Sequence, residues 1–319
     1  MNRLAIALIL NQGLIEVLSA ILALVENLFS NNTHWSVDMG LRLAECVVYF
    51  VSFVLPVHVF NSLNKNAPRE IYEPYETKKA TALETATIIG MSLGIIMLAA
   101  YANYFAVNIF WDYSDFTSEY FWAVDIDHTY QAIIYFIYCA IIPAVVEELL
   151  FRGTVCRVLK VYSDGSAVVI SAILFALMHS NIEQLFYTFV AGLLFGWVYV
   201  RTKKLIYPII LHFLNNGISA IGDIIYERCA PEVYNKYSSY SDLAIYVVTF
   251  ISLVVFLVMI LKKGSFIEKT VMKPDENGEE VLPLSFSEKA EGFFSVGMIM
   301  FVMYSFITMA YYVYKSILV

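Results

Sequence analysis

Charge is scarce in this chain. Only 15% of its 319 residues are Asp, Glu, Lys or Arg, against 60% that are hydrophobic, and the mean hydropathy is +0.68. Water-soluble domains carry about 25% charged residues, so the shortage excludes an ordinary soluble fold and points to a polytopic membrane protein. Cysteine is sparse too: Cys46, Cys139, Cys156 and Cys229 stand far apart and none forms a C-x-x-C pair. That spacing argues against a disulfide framework or a thiolate metal site and leaves four small buried hydrophobes. Basic residues are too few and too scattered for a nucleic-acid surface. Also missing are an internal repeat, a low-complexity tract, an H-E-x-x-H helix and a small-residue cleavage site after the first apolar stretch. That stretch is therefore kept as a first span rather than a signal peptide.

What is present is a series of apolar runs. Crossing about 30 Å of hydrocarbon takes about 20 apolar residues, and nine stretches qualify: 4–29, 43–62, 82–106, 131–151, 166–182, 184–200, 205–222, 243–261 and 293–314. The expected fold class is all-α, a polytopic integral membrane helical bundle of about nine transmembrane helices. With the N-terminus cytoplasmic, 16 of the 20 Lys and Arg residues fall in inner segments, the outer ones being Arg42, Arg228, Lys236 and Lys315. Such an excess is the positive-inside signature. The expected organisation is an N-terminal group of three spans over 1–130, a core over 131–223, and C-terminal spans over 224–319 with a mobile cytoplasmic loop at 262–291. The aromatic stretch from Trp111 to Trp122 reads as an interfacial belt on the outer side.

Against this apolar background, Glu147-Glu148-Leu149-Leu150-Phe151-Arg152 stands out. Ionisable groups in a span pair, line a wet cavity or do chemistry. Glu148 and Arg152 are spaced i and i+4, the geometry of an intrahelical ion pair. Glu147 is turned about 100° away and needs another partner. Glu16, Glu45 and Glu84 are read as acids paired with neighbouring helices. Two further polar signals follow in order: Phe175-Ala176-Leu177-Met178-His179, and His212-Phe213-Leu214-Asn215-Asn216 with His212 and Asn216 on one helix face. A buried carboxylate can take a proton from water, a neutral imidazole can orient that water, and imidazole or amide groups can donate to an oxyanion. Glu147 with His179 suits the first task, and His212 with Asn216 the second. For Glu147 and His179 to meet at one depth, helix four must continue to about Tyr162 and helix five must extend past His179.

Glu-Glu-x-x-x-Arg, Phe-x-x-x-His and His-x-x-x-Asn on successive apolar segments resemble the CPBP family of intramembrane proteases. That family includes the type II CAAX prenyl endopeptidases and bacterial proteins labelled abortive-infection or bacteriocin-processing and immunity factors. The resemblance spans 131–223. It implies an intramembrane endopeptidase in which Glu147 and His179 activate water, His212 and Asn216 stabilise the oxyanion, and Glu148 and Arg152 form a structural pair. The implied substrate is a peptide or membrane-anchored protein, and the implied location is a multi-pass protein of the bacterial plasma membrane. Glu147, His179 and His212 are the candidate ligands for a Zn²⁺ ion with an open position for water. The missing H-E-x-x-H helix leaves a metal-free reaction equally open. A non-catalytic binding or immunity protein using the same polar cluster is the alternative. A transporter fits less well, since the paired repeats and broken helices of that class are not found.

Overall fold

The computed structural model describes residues 1–29, 35–65, 75–76, 80–110, 126–263, 271–272 and 294–318. The aromatic stretch 111–122 and nearly all of loop 262–291 lie outside the described residues. Among the described residues nine helices are formed: α1 (Asn2–Phe29), α2 (Trp35–Leu63), α3 (Ala82–Phe110), α4 (Thr129–Leu159), α5 (Asp164–Met178), α6 (Ile182–Thr202), α7 (Ile206–Arg228), α8 (Pro231–Lys263) and α9 (Val296–Leu318). Seven of them are long and apolar enough to cross a membrane; α5, and the part Val296–Tyr311 of α9, are shorter apolar helices. Tyr75–Glu76 and Val271–Met272 add a small antiparallel pairing. This is a multi-pass helical membrane protein.

Three boundaries differ from the hydropathy reading. Helix α2 starts at Trp35 rather than near 43, because Asp38 and Arg42 pair at i and i+4 with an N–O distance of 3.0 Å and carry the helix through a polar turn. Helix α8 starts at Pro231, whose fixed φ suits a helix start, twelve residues before its apolar run. Helix α5 stops at Met178, whereas an extension past His179 was expected. Its last turn tightens, with the His179 and Ser180 amides donating to the Ala176 and Leu177 carbonyls, and Ser180 takes a φ of 49° that ends the helix. Helix α4 does run on to Leu159, with turns to Tyr162.

Helix α4 lies at the centre, packed by α2, α5 and α7, while α1 pairs with α2, α5 with α6, and α3 with α6 and α8. Val146, Leu150, Phe151 and Val155 of α4 meet Leu174 and Phe175 of α5 and Phe195 of α6 in the main core. Large apolar side chains such as Leu24, Phe105, Phe250 and Leu261 are left exposed on the outer faces, as a lipid environment requires. Along the α3–α8 seam, Gly90 and Gly94 bring backbone against Ser252 and Thr249, where any Cβ would collide. Glu84 caps its own helix: its carboxylate accepts from the Thr81 amide at 2.7 Å while Thr81 Oγ1 accepts from the Glu84 amide at 3.3 Å. Contacts from Arg3 to the Leu63 carbonyl and from the Ala80 amide to the Arg201 carbonyl gather the helix ends that the charge pattern assigns to the inner side.

Two prolines within the bundle are compensated in the same way. A proline offers no N–H to the carbonyl four residues earlier, which in lipid must find another donor. Pro56 leaves the Ser52 carbonyl, and Asn11 of α1 donates to it from Nδ2 at 2.8 Å. Pro143 leaves the Cys139 carbonyl, and Asn216 of α7 donates to it from Nδ2 at 3.1 Å. Asn11→Ala is expected to lower stability by about 1–2 kcal/mol, at the lower end because Asn11 Oδ1 has no partner to lose. Adding Pro56→Ala should recover most of the loss, since residue 56 then supplies the missing N–H. Denaturant titration of the single and double variants checks both.

Candidate active site

The residues around Glu147 sit on a helix of altered winding. Helix α4 contains two π-helical segments, Ile137–Ile141 and Phe151–Cys156, on either side of Ile142–Leu150. The first immediately precedes Pro143, whose ring would otherwise press on the Cys139 carbonyl. The regular turn between them keeps Glu147 and Glu148 adjacent on diverging faces, both buried.

Glu148 takes the role its spacing suggests. Arg152 Nη1 donates to Glu148 Oε1 at 2.7 Å, with both side chains fully out of solvent. Arg152 Nη2 donates to the Gly192 carbonyl at 2.9 Å. The guanidinium carbon lies 4.7 Å from the Phe175 ring centre and 5.2 Å from that of Phe195, so two aromatic faces share the charge. Gly192 permits this approach, because a Cβ there would stand 3.0 Å from the α5 backbone at Ala172 and 3.2 Å from Phe175.

His212 belongs to the same cluster. Its Nδ1 lies 3.0 Å from Glu148 Oε1, and its ring stacks on Phe195 at 4.7 Å with an interplanar angle of 20°. A carboxylate held by arginine can only accept, so Nδ1 carries the proton in that contact. Nε2 then faces Glu147, 3.9 Å from its Oε2. That oxygen is buried without a hydrogen-bond partner. The other oxygen, Oε1, accepts a hydrogen bond from the Tyr49 hydroxyl of α2.

His179 caps the end of α5, half-buried, in edge contact with Phe175 at 4.9 Å. Its Nδ1 meets the Phe175 carbonyl at 2.9 Å. A carbonyl has no proton to give, so Nδ1–H donates and Nε2 is left as the acceptor. No hydrogen bond or ion pair joins His179 to Glu147 directly; Phe175 packs against both His179 and His212. Asn216 stands one turn beyond His212, tied to the Cys139 carbonyl and accepting from Asn215 Nδ2 at 2.9 Å. Asn215 also donates to the Tyr187 hydroxyl. The main cluster therefore unites Glu147, Glu148, Arg152 and His212, with His179 and Asn216 at its borders. Tyr49 was not among the expected residues, and its contact joins positions 98 apart in the chain.

The three donors proposed for Zn²⁺ are not gathered into a ligand set. Among the described residues no group of three His, Cys, Asp or Glu side chains stands close enough to hold a metal ion. All four cysteines carry free thiols: Cys46 and Cys156 are buried as expected and Cys139 is half-buried, but Cys229, at the end of α7, is exposed.

Residues 129–218 match the family model described as Rce1-like, type II CAAX prenyl endopeptidase. This segment is similar to the Rce1-like domain. Over 110 residues, covering 32% of this chain and 43% of the relative, the sequence is 31% identical to the membrane-embedded CAAX protease MroQ of Staphylococcus aureus (strain USA300). The chain thus spans less than half the length of that relative. No solved structure matches. Every motif residue from Glu147 to Asn216 falls inside the Rce1-like segment, while Tyr49 and the α1–α2 pair that packs on it fall outside.

Proposed function

We propose that this protein is an intramembrane endopeptidase that hydrolyses a peptide bond in a membrane-anchored or peptide precursor substrate. One observation carries the reading: the buried, unpartnered Glu147 Oε2 facing His212 Nε2 across 3.9 Å. A free carboxylate oxygen in an apolar bundle is costly unless something polar visits it, and water beside a scissile carbonyl is such a visitor.

The residues divide the work as follows. A water donates one proton in a hydrogen bond to the free Nε2 of His179 and gives the other to Glu147 Oε2 as its oxygen attacks the scissile carbonyl carbon. The carbonyl oxygen becomes an oxyanion, and His212 Nε2–H and the second N–H of the Asn216 amide donate to it. For His212 to donate from both ring nitrogens it must be imidazolium. Collapse of the intermediate breaks the C–N bond, and Glu147 returns its proton to the leaving amine. No step is routed through a metal.

Helix α5 also bears on depth. Its 15 residues measure about 22 Å, less than the about 30 Å of hydrocarbon, so a chain that enters from the inner side turns at His179 to Asn181 before it has crossed. Gln12 of α1 donates from Nε2 to the Met178 carbonyl and to Ser180 Oγ at 3.4 and 3.3 Å, which supplies polar contacts to that buried turn. We place the N-terminus on the cytoplasmic side of a bacterial plasma membrane, in line with the basic loops.

The test is cleavage of a synthetic library of membrane-inserting peptides by the full chain in proteoliposomes. One arm carries a farnesyl group on a cysteine near the C-terminus, one does not, and each is repeated with a chelator. Cleavage that survives the chelator supports the reaction as written, and chelator-sensitive cleavage restores a metal to it. Absence of cleavage in every arm would overturn the enzymatic reading in favour of a binding or immunity protein.

A further inference from the structure

Glu147 is held from outside the Rce1-like segment. Tyr49 of α2 donates its hydroxyl to Glu147 Oε1, and its ring is fixed by Phe53 one turn along the same helix, at 4.9 Å, and by Tyr138 of α4, edge-on at 5.5 Å. A carboxylate has two oxygens that are equivalent in free solution. Here one is occupied and the other is not, and the free one is the oxygen that faces His212.

We infer that Tyr49 is a positioning residue for Glu147, so that helix α2 completes the reaction centre by committing Oε1 and leaving Oε2 alone to handle the proton of water. The inference rests on the reading of Glu147 as the base. Three consequences of the geometry favour it over simple packing. The tyrosine ring already has its aromatic contacts, so the hydroxyl is not needed to fill space. Rotation of the Glu147 carboxylate about its terminal bond is broad and nearly two-fold, and a donor fixed by its ring selects one orientation. A hydrogen bond to a charged acceptor is also about twice as strong as a neutral one, which holds that orientation while Glu147 is the carboxylate that takes the proton of water.

Phenylalanine at position 49 keeps the ring contacts and deletes only the donor, so Tyr49→Phe isolates the hydroxyl. In proteoliposomes, with the library peptide that wild type cleaves fastest, Tyr49→Phe should lower kcat on the order of ten-fold with KM within about two-fold. Incorporation of 3-fluorotyrosine in place of Tyr49, which retains the hydroxyl, should restore kcat. A purely structural role would instead move the thermal midpoint and leave no such split between kcat and KM. The fluorine of the same protein gives a readout free of activity: its NMR signal should shift when Glu147→Gln is added. A fluorine signal indifferent to Glu147→Gln, or an unchanged kcat for Tyr49→Phe where Glu147→Gln is inactive, would overturn the inference. Undiminished cleavage by Glu147→Gln would instead overturn the reading of Glu147 as the base, so the two failures are distinguishable.

Discussion

Replacing Arg152 with methionine is expected to cost about 3–5 kcal/mol of stability, the range for breaking a buried ion pair by removing one partner. Arg152 and Glu148 have no exposed side-chain surface. Without the guanidinium, Glu148 is a buried carboxylate beside Glu147, two aromatic faces lose their cation, and the Gly192 carbonyl loses its donor. Detergent-solubilised Arg152→Met should therefore aggregate or unfold well below the wild-type midpoint. Adding Glu148→Gln should recover much of the loss, because the amide oxygen still accepts from His212 Nδ1 and no uncompensated charge remains. Size-exclusion profiles and denaturant titration of the two variants separate a charge effect from a packing effect. A double variant no more stable than Arg152→Met would assign the loss to packing around the guanidinium.

The second large effect concerns chemistry rather than stability. Glu147→Gln keeps the shape of the side chain but cannot accept the proton of water, and the expected loss is on the order of a thousand-fold in kcat or more. His179→Ala should lose a similar factor, and the double variant should be no worse than either single one, because a base and the group that orients its water act as a unit. Additive losses would show that the two residues serve separate steps. Both variants are expected to fold: among the described residues the hydrogen bond and ring contact of the His179 side chain are both to Phe175, and an amide at 147 can still accept from Tyr49.

The parts of this architecture that sequence reveals are those written within one helix. The nine apolar runs correspond to the nine helices among the described residues, and Glu148–Arg152 formed at its i, i+4 spacing. The contacts that make the site lie between helices, and a 3.6-residue period says nothing about them. Tyr49 reads as one aromatic among 23 tyrosines, and only packing of α2 on α4 brings it to Glu147. The contact of His212 with Glu148, 64 residues apart, is of the same kind. Helix α5 stops short of its apolar pattern because backbone geometry at Ser180 decides where it ends, whereas hydropathy only bounds it. The prolines are an intermediate case. Pro56 and Pro143 announce an orphaned carbonyl in the sequence, and Asn11 and Asn216 are visible as polar residues in apolar spans, but the pairing of each asparagine with its carbonyl appears only in three dimensions. Asn216 thus carries a structural task beside the one its motif suggests, and its loss should affect both stability and rate.

Peptide cleavage in water enriched in oxygen-18, by wild type and Glu147→Gln side by side in proteoliposomes at equal folded amounts, tests the central claim most directly. Mass spectrometry of the wild-type products should find one solvent oxygen in the new C-terminal carboxyl of the N-terminal fragment and none in the C-terminal fragment, and the Glu147→Gln sample should release fragments at about a thousandth of the wild-type rate or less. Equal fragment release by the two proteins would contradict the account.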